Sequence, residues 1–324
     1  MMQLKVAFSL KGWLAADLAG TTFDLADPTA CVSFEKLTDG DLIEHESAGD
    51  VLVTSTGPFR VPRKILDWLD VTSLEPMPPE LATRTHERTR QLRNSARRVV
   101  QVVQWVTGRM HDFEPTKSFR NCEFQVEGGP WRLIEPEIDV KVSFGRPFRT
   151  LDEIAVRVIC QVLGRGGYEP LSNVLLREAW SLLATSPRSA LVLGIASLES
   201  CVKHLIITCI PDSKWLVENV PSPPIESMLR SFINELNTKA KIKGKVVPPP
   251  KSLLDAVKNA VAARNRVVHG VSQDVSSESV RAYLRAIADI NVLMDVYGGY
   301  TWAMKNLSVE AAEALTQSLG PVAK

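Results

Sequence analysis

The chain has 324 residues, 45% of them hydrophobic and 23% charged, and its 38 basic and 37 acidic residues leave a formal net charge of +1. A length of this order holds about two domains of roughly 100–200 residues each, and the composition excludes a chain that is wholly disordered, collagen-like or stapled by disulfides. So even a charge balance also excludes nucleic-acid binding by bulk charge and leaves only a local patch for it.

In chain order, residues up to about 150 carry short β-like runs at 4–10, 30–37, 50–57, 122–128, 131–136 and 138–144, separated by turn clusters at 27–29, 38–41 and 127–130. One long helix interrupts them over about 79–110, with Ala96, Val99, Val100, Val103 and Val106 at helical spacing. Thr150-Leu-Asp-Glu153 then reads as a capping box, opening a helix that ends at Gly164. Further helices are expected at about 169–185, 188–210, 224–238, 251–269 and 277–297, with a shorter one at 308–319. The segment 239–251, basic and proline-rich, reads as an exposed, mobile loop. The expected fold class is α+β: a β-rich domain with one long helix over 1–149, followed by an all-α bundle over 150–324.

The apolar stretch 190–210 is interrupted by Glu199, Lys203 and His204, short of the roughly 18–20 uninterrupted apolar residues of a spanning helix. The run Val6-Ala7-Phe8 is too short for a signal sequence. Cys31, Cys122, Cys160, Cys201 and Cys209 form an odd set with no C-x-x-C pair, so neither a disulfide framework nor a zinc knuckle is indicated. No membrane association is expected, and the compartment expected is a reducing cytosol.

The informative segment is 253–270. Leu254, Val257, Ala260, Val261, Arg264 and Val268 lie on or beside one helical stripe, and Arg264-Asn265 is followed by His269 and the capping Gly270. Asn265 and His269 are four apart, so the Asn amide can bond the imidazole and fix its tautomer. Arg264 stands about 100° round the helix and can present its guanidinium fork to the edge of the same place. An imidazole that moves protons near neutral pH, beside a guanidinium that stabilises charge on phosphate oxygens, suits phosphodiester chemistry.

This pattern resembles the signature of the HEPN superfamily, an Arg often followed by a polar residue, with a His after four to six intervening residues; here four intervene. The apolar helix at 189–206 is similar to one in abortive-infection and ApeA-type HEPN domains, with Ala196-Ser-Leu-Glu199 standing, one residue shorter, for an A-x-x-L-E-like stretch. The resemblance covers roughly residues 165–300. It implies a metal-independent endoribonuclease without cofactor, acting as a homodimer whose two Arg/His sets face one another. The RNA 2′-OH would attack the adjacent phosphate and leave a 2′,3′-cyclic phosphate and a 5′-OH. The catalytic residues would be His269 for proton transfer, Arg264 for phosphate stabilisation and Asn265 for orientation. The implied setting is antiphage defence or a toxin–antitoxin system, with a trigger or antitoxin protein as a further partner and the N-terminal domain sensing or regulating. The other reading is a catalytically silent HEPN dimer that binds or scaffolds, in which Arg264 and Asn265 merely cap the helix.

Two basic features are candidates for RNA contact. Arg84, Arg88, Arg90, Arg93, Arg97 and Arg98 on the long helix, with Arg93 and Arg97 foremost, make either a phosphate-tracking ridge or a solvated face answering the acidic stretch 39–50. Lys241, Lys243 and Lys245, with Lys239 and Lys251, precede the motif helix with no aromatic between them, so phosphate contact rather than base stacking is expected there. Asp139-Val-Lys141 matches half of a metal-dependent nuclease core, with Glu123 as the nearest second acid; a charged surface strand explains it equally well. Ser200 and His204 share a helix face without an orienting acid, and Glu199 and Lys203 read as an i,i+4 pair. His45, His86 and His111 lack ligand spacing, so no metal site is expected.

Overall fold

Period-2 alternation in the first third of the chain becomes an antiparallel sheet. The computed structural model describes residues 2–10, 20–26, 29–36, 51–59, 79–108, 119–126, 131–134, 153–220, 224–270 and 275–319. Strands β1 (Met2–Leu10), β2 (Thr22–Ala26), β3 (Thr29–Lys36), β4 (Val51–Phe59), β5 (Phe119–Val126) and β6 (Arg132–Ile134) form one sheet in the order β2-β3-β4-β1-β5-β6. The register pairs Phe23 with Val32, Phe34 with Val53 and Leu4 with both Gly57 and Phe124, so one face is lined by buried apolar side chains.

Helix α1 (Pro79–Thr107) crosses that face, with Ala96, Val99, Val100, Val103 and Val106 all buried as their spacing predicts. The approach is close at Gly57, where a Cβ would fall 2.4 Å from an Arg88 guanidinium nitrogen and 2.8 Å from the Thr29 carbonyl. Arg88 donates to that same carbonyl at 2.7 Å. Arg98 is buried too, donating to the Gly167 carbonyl at 3.1 Å and lying over the Tyr168 ring. The expected arginine ridge is therefore not continuous: two of its six members are taken up in packing their own unit.

Helix α2 (Glu153–Gly164) packs against β2 and buries Ala155, Ile159 and Leu163. The chain accordingly divides later than the change in sequence pattern suggests. One unit comprises Met1–Gln104 with Phe113–Tyr168, the other Trp105–Asp112 with Glu169–Lys324. The second unit is helical: α3 (Leu171–Leu182), α4 (Pro187–Cys209), α5 (Lys214–Asn219), α6 (Ile225–Arg230), α7 (Lys251–Val268), α8 (Ser277–Tyr297) and α9 (Val309–Leu319), with 3-10 turns at Pro211–Ser213, Phe232–Glu235 and Thr301–Asn306. The fold class is α+β. The helix expected over 224–238 is two short pieces, α6 and a 3-10 turn, broken at Ser231.

Helix α4 is the centre of this second core. Leu191, Ile195, Leu198, Cys201, Val202, Leu205 and Ile206 are buried against neighbouring helices, and Gly194 lets Leu284 of α8 approach to 2.5 Å of where a Cβ would be. Its length and mean hydropathy of 1.7 over 18 residues satisfy the composition of a spanning helix despite the charges, and 56% of that window is buried inside the unit. Four free cysteines, Cys31, Cys160, Cys201 and Cys209, lie among the described residues. The expected strand at 138–144 with Asp139 and Lys141, the acidic stretch 39–50, Thr150 of the capping box, His45 and His111 lie outside the described residues.

Candidate functional site

Helix α7 begins after three prolines and buries Leu253, Leu254, Val257, Ala260 and Ala263, a stripe that fixes which face turns outward. Val261 is partly buried against the same core, and Val268 is exposed. Arg264 flanks the stripe and is half-buried, while Asn265 and His269 are exposed. The helix ends as the sequence indicates: the His269 amide bonds the Asn265 carbonyl at 3.0 Å, and Gly270 turns at φ +70°. Only glycine takes that backbone freely.

The guanidinium of Arg264 is held on two sides. Its Nη2 donates to Glu199 Oε1 at 2.9 Å, and its Nη1 donates to Asn265 Oδ1 at 3.1 Å. The Asn265 amide thus orients Arg264 rather than the imidazole, which makes no hydrogen bond among the described residues. Glu199 is the residue that sequence reasoning misplaced. Its spacing suggests a pair with Lys203, whereas the fold gives it to Arg264, because α4 and α7 pack side by side. No spacing rule reaches across 65 residues to find such a partner.

Lys203, one turn beyond Glu199, edges an apolar cavity of about 630 Å³ whose walls include Ile206, Leu216, Val217, Met228 and Phe232. Around it Ile210, Trp215, Leu216, Val220 and Phe232 are all exposed, Trp215 by 67%. Other exposed apolar side chains of the helical unit, Leu171, Val268 and Val309 among them, are not part of its lining. In helix α4, Leu191, Ile195 and Leu198 are buried in the core of its own unit.

The segment 239–250 differs from the mobile loop expected. Ile242 and Lys245 exchange both backbone hydrogen bonds across a two-residue turn, with Lys243 at φ 47° and Gly244 at φ 78°. The buried Tyr297 hydroxyl donates to the Val247 carbonyl at 2.6 Å and accepts from its amide at 3.0 Å. The Lys239 amide bonds the Tyr297 carbonyl at 2.9 Å. Lys239, Lys241, Lys243, Lys245 and Lys251 are nevertheless all exposed. In the sheet unit Arg97 is exposed and Arg93 half-buried. Among the described residues no cluster of His, Cys, Asp and Glu could hold a metal ion.

Comparison with protein-family models, with curated proteins and with solved structures finds no match of significance for this chain.

Proposed function

We propose that the chain is a metal-independent endoribonuclease of HEPN type, acting as a cytoplasmic homodimer in antiphage defence or a toxin–antitoxin system. The observation that supports this most is the Arg264 fork braced by Glu199 and Asn265, with an exposed His269 one turn past Asn265 at the helix end. In this reading His269 takes the proton from a 2′-OH as its oxygen attacks phosphorus, and Arg264 stabilises the charge gathering on the phosphate oxygens. The bond to the 5′-oxygen breaks, and the imidazole of a second copy protonates that leaving oxygen. The exposed lysines 241, 243 and 245, with Arg93 and Arg97, would contact the RNA backbone. A second copy seated on the exposed apolar surface between Ile210 and Phe232 would supply the missing acid.

The test is cleavage of a labelled RNA by the full chain in EDTA, with the new ends analysed. Cyclic-phosphate ends formed without divalent metal are expected, and cleavage that needs magnesium would overturn the mechanism. One observation favours the alternative, a silent HEPN-type dimer that binds or scaffolds. Glu199 already neutralises one edge of the Arg264 fork, and a guanidinium so engaged is a structural brace as well as a phosphate ligand.

A further inference from the structure

The apolar cavity beside the C-terminal half of α4 has no part in the RNA chemistry. Its volume of about 630 Å³ falls in the range of small-molecule sites, roughly 300–1,000 Å³. Ile206 of α4, Leu216, Val217 and Val220 of α5, Met228 of α6 and the following Phe232 make its walls apolar. Its polar lining is Lys203, Glu235 and the hydroxyls of Ser213, Ser227 and Ser231. The Ser213 hydroxyl is spent on the Ile210 carbonyl, to which it donates at 2.6 Å. Walls with so few polar groups disfavour a sugar or a nucleobase, whose donors and acceptors would be left unpaired against them. A hydrocarbon chain brings none.

The head group follows from Lys203. This lysine is half-buried, and the carboxylate one turn before it, Glu199, is bonded to Arg264 at 2.9 Å. Lys203 forms no ion pair among the described residues. A half-buried ammonium loses part of its hydration, and an anion set beside it offsets that loss. Glu235, the other charge on the lining, is exposed, so water already solvates it. A single negative charge suits one ammonium. The second charge of a phosphate would find no partner and would be repelled by Glu235.

We propose that the cavity binds a free fatty acid of medium chain length, with the alkyl chain along the apolar walls and the carboxylate on the Lys203 ammonium. Neither Ile210 nor Trp215 lines the cavity, so this ligand leaves both for a second copy. It binds whether or not the chain cuts RNA.

The test is isothermal titration of the full chain with hexanoate, octanoate and decanoate, each below its micelle concentration, and with decanol and decylamine for comparison. One decanoate per chain is expected, with affinity rising about fourfold for each added methylene. Decanoate should bind more tightly than decylamine. Lys203→Met should weaken decanoate about tenfold and leave decanol unchanged. In the unaltered chain, no saturable binding of decanoate, affinity that ignores chain length, or decylamine bound as tightly as decanoate would each overturn the site. So would decanoate binding that Lys203→Met leaves intact.

Discussion

Arg264 and Glu199 are 65 residues apart in sequence and 2.9 Å apart in space. Their side chains are 29% and 41% exposed, so the pair is a surface ion pair, worth about 0–1 kcal/mol to stability. Its consequence is positional: it fixes where the guanidinium fork points at the end of α7. A phosphate approaching Arg264 meets an arginine already aimed, and also a carboxylate that repels it.

These two effects separate in the kinetics of the proposed nuclease. Glu199→Gln keeps an acceptor oxygen for Arg264 and removes the repulsion, so KM for RNA should fall about three- to tenfold with kcat little changed. Glu199→Ala also frees the fork, and kcat should drop about tenfold as orientation is lost. Steady-state cleavage of a short labelled RNA reads both. A scaffold would show neither effect and would lose at most about 1 kcal/mol in urea unfolding.

The exposed His269 caps α7 through its backbone alone, so its side chain can be removed at little structural cost. His269→Ala should lower RNA cleavage by about 10²–10⁴ with an unchanged melting curve. Arg264→Lys should also impair cleavage, because an ammonium cannot bond Glu199, Asn265 and a phosphate with the geometry of a planar fork.

Much of this frame is legible in the sequence, and the exceptions have physical causes. The long helix, the helix ends at Val268 and Tyr297 and the stop at Gly270 follow from local patterning, which periodicity and capping report directly. Strand β2 escapes notice because it is only five residues long, although its alternation of exposed and buried positions is complete. The unit boundary and the Arg264–Glu199 pair are set by packing between distant segments, which no local window contains. The frame of 239–250 is hidden for the same reason. Proline and lysine argue for looseness there, and the long-range restraint comes from Tyr297, whose hydroxyl holds Val247 from 50 residues away and whose carbonyl accepts from the Lys239 amide.

That hydroxyl makes a clean prediction. Tyr297→Phe keeps the buried ring and removes the group that both donates to and accepts from Val247. The amide and carbonyl of Val247 then lose their partner inside the protein, at a cost of about 1–3 kcal/mol. Urea unfolding should show the loss, and amide hydrogen exchange should rise at Val247 while the centre of α4 stays protected.

If the lysines of this framed turn track RNA phosphates, their contribution is electrostatic and measurable as salt dependence. Lys241, Lys243 and Lys245 are exposed on a short turn closed by the Ile242–Lys245 bridge, so they present their charges together rather than as independent chains. Each phosphate neutralised on a single strand contributes about 0.7 to the slope of log affinity against log salt. Replacing all three lysines by Gln should reduce that slope by about 2 and weaken RNA binding at low salt, with the loss shrinking as salt rises. The turn itself should survive, because Gly244 keeps its φ of 78° and glutamine at 243 meets the same left-handed backbone that lysine already accepts. Filter binding across a salt series checks it, and an unchanged slope would remove this turn from the RNA path while leaving the Arg264 site standing.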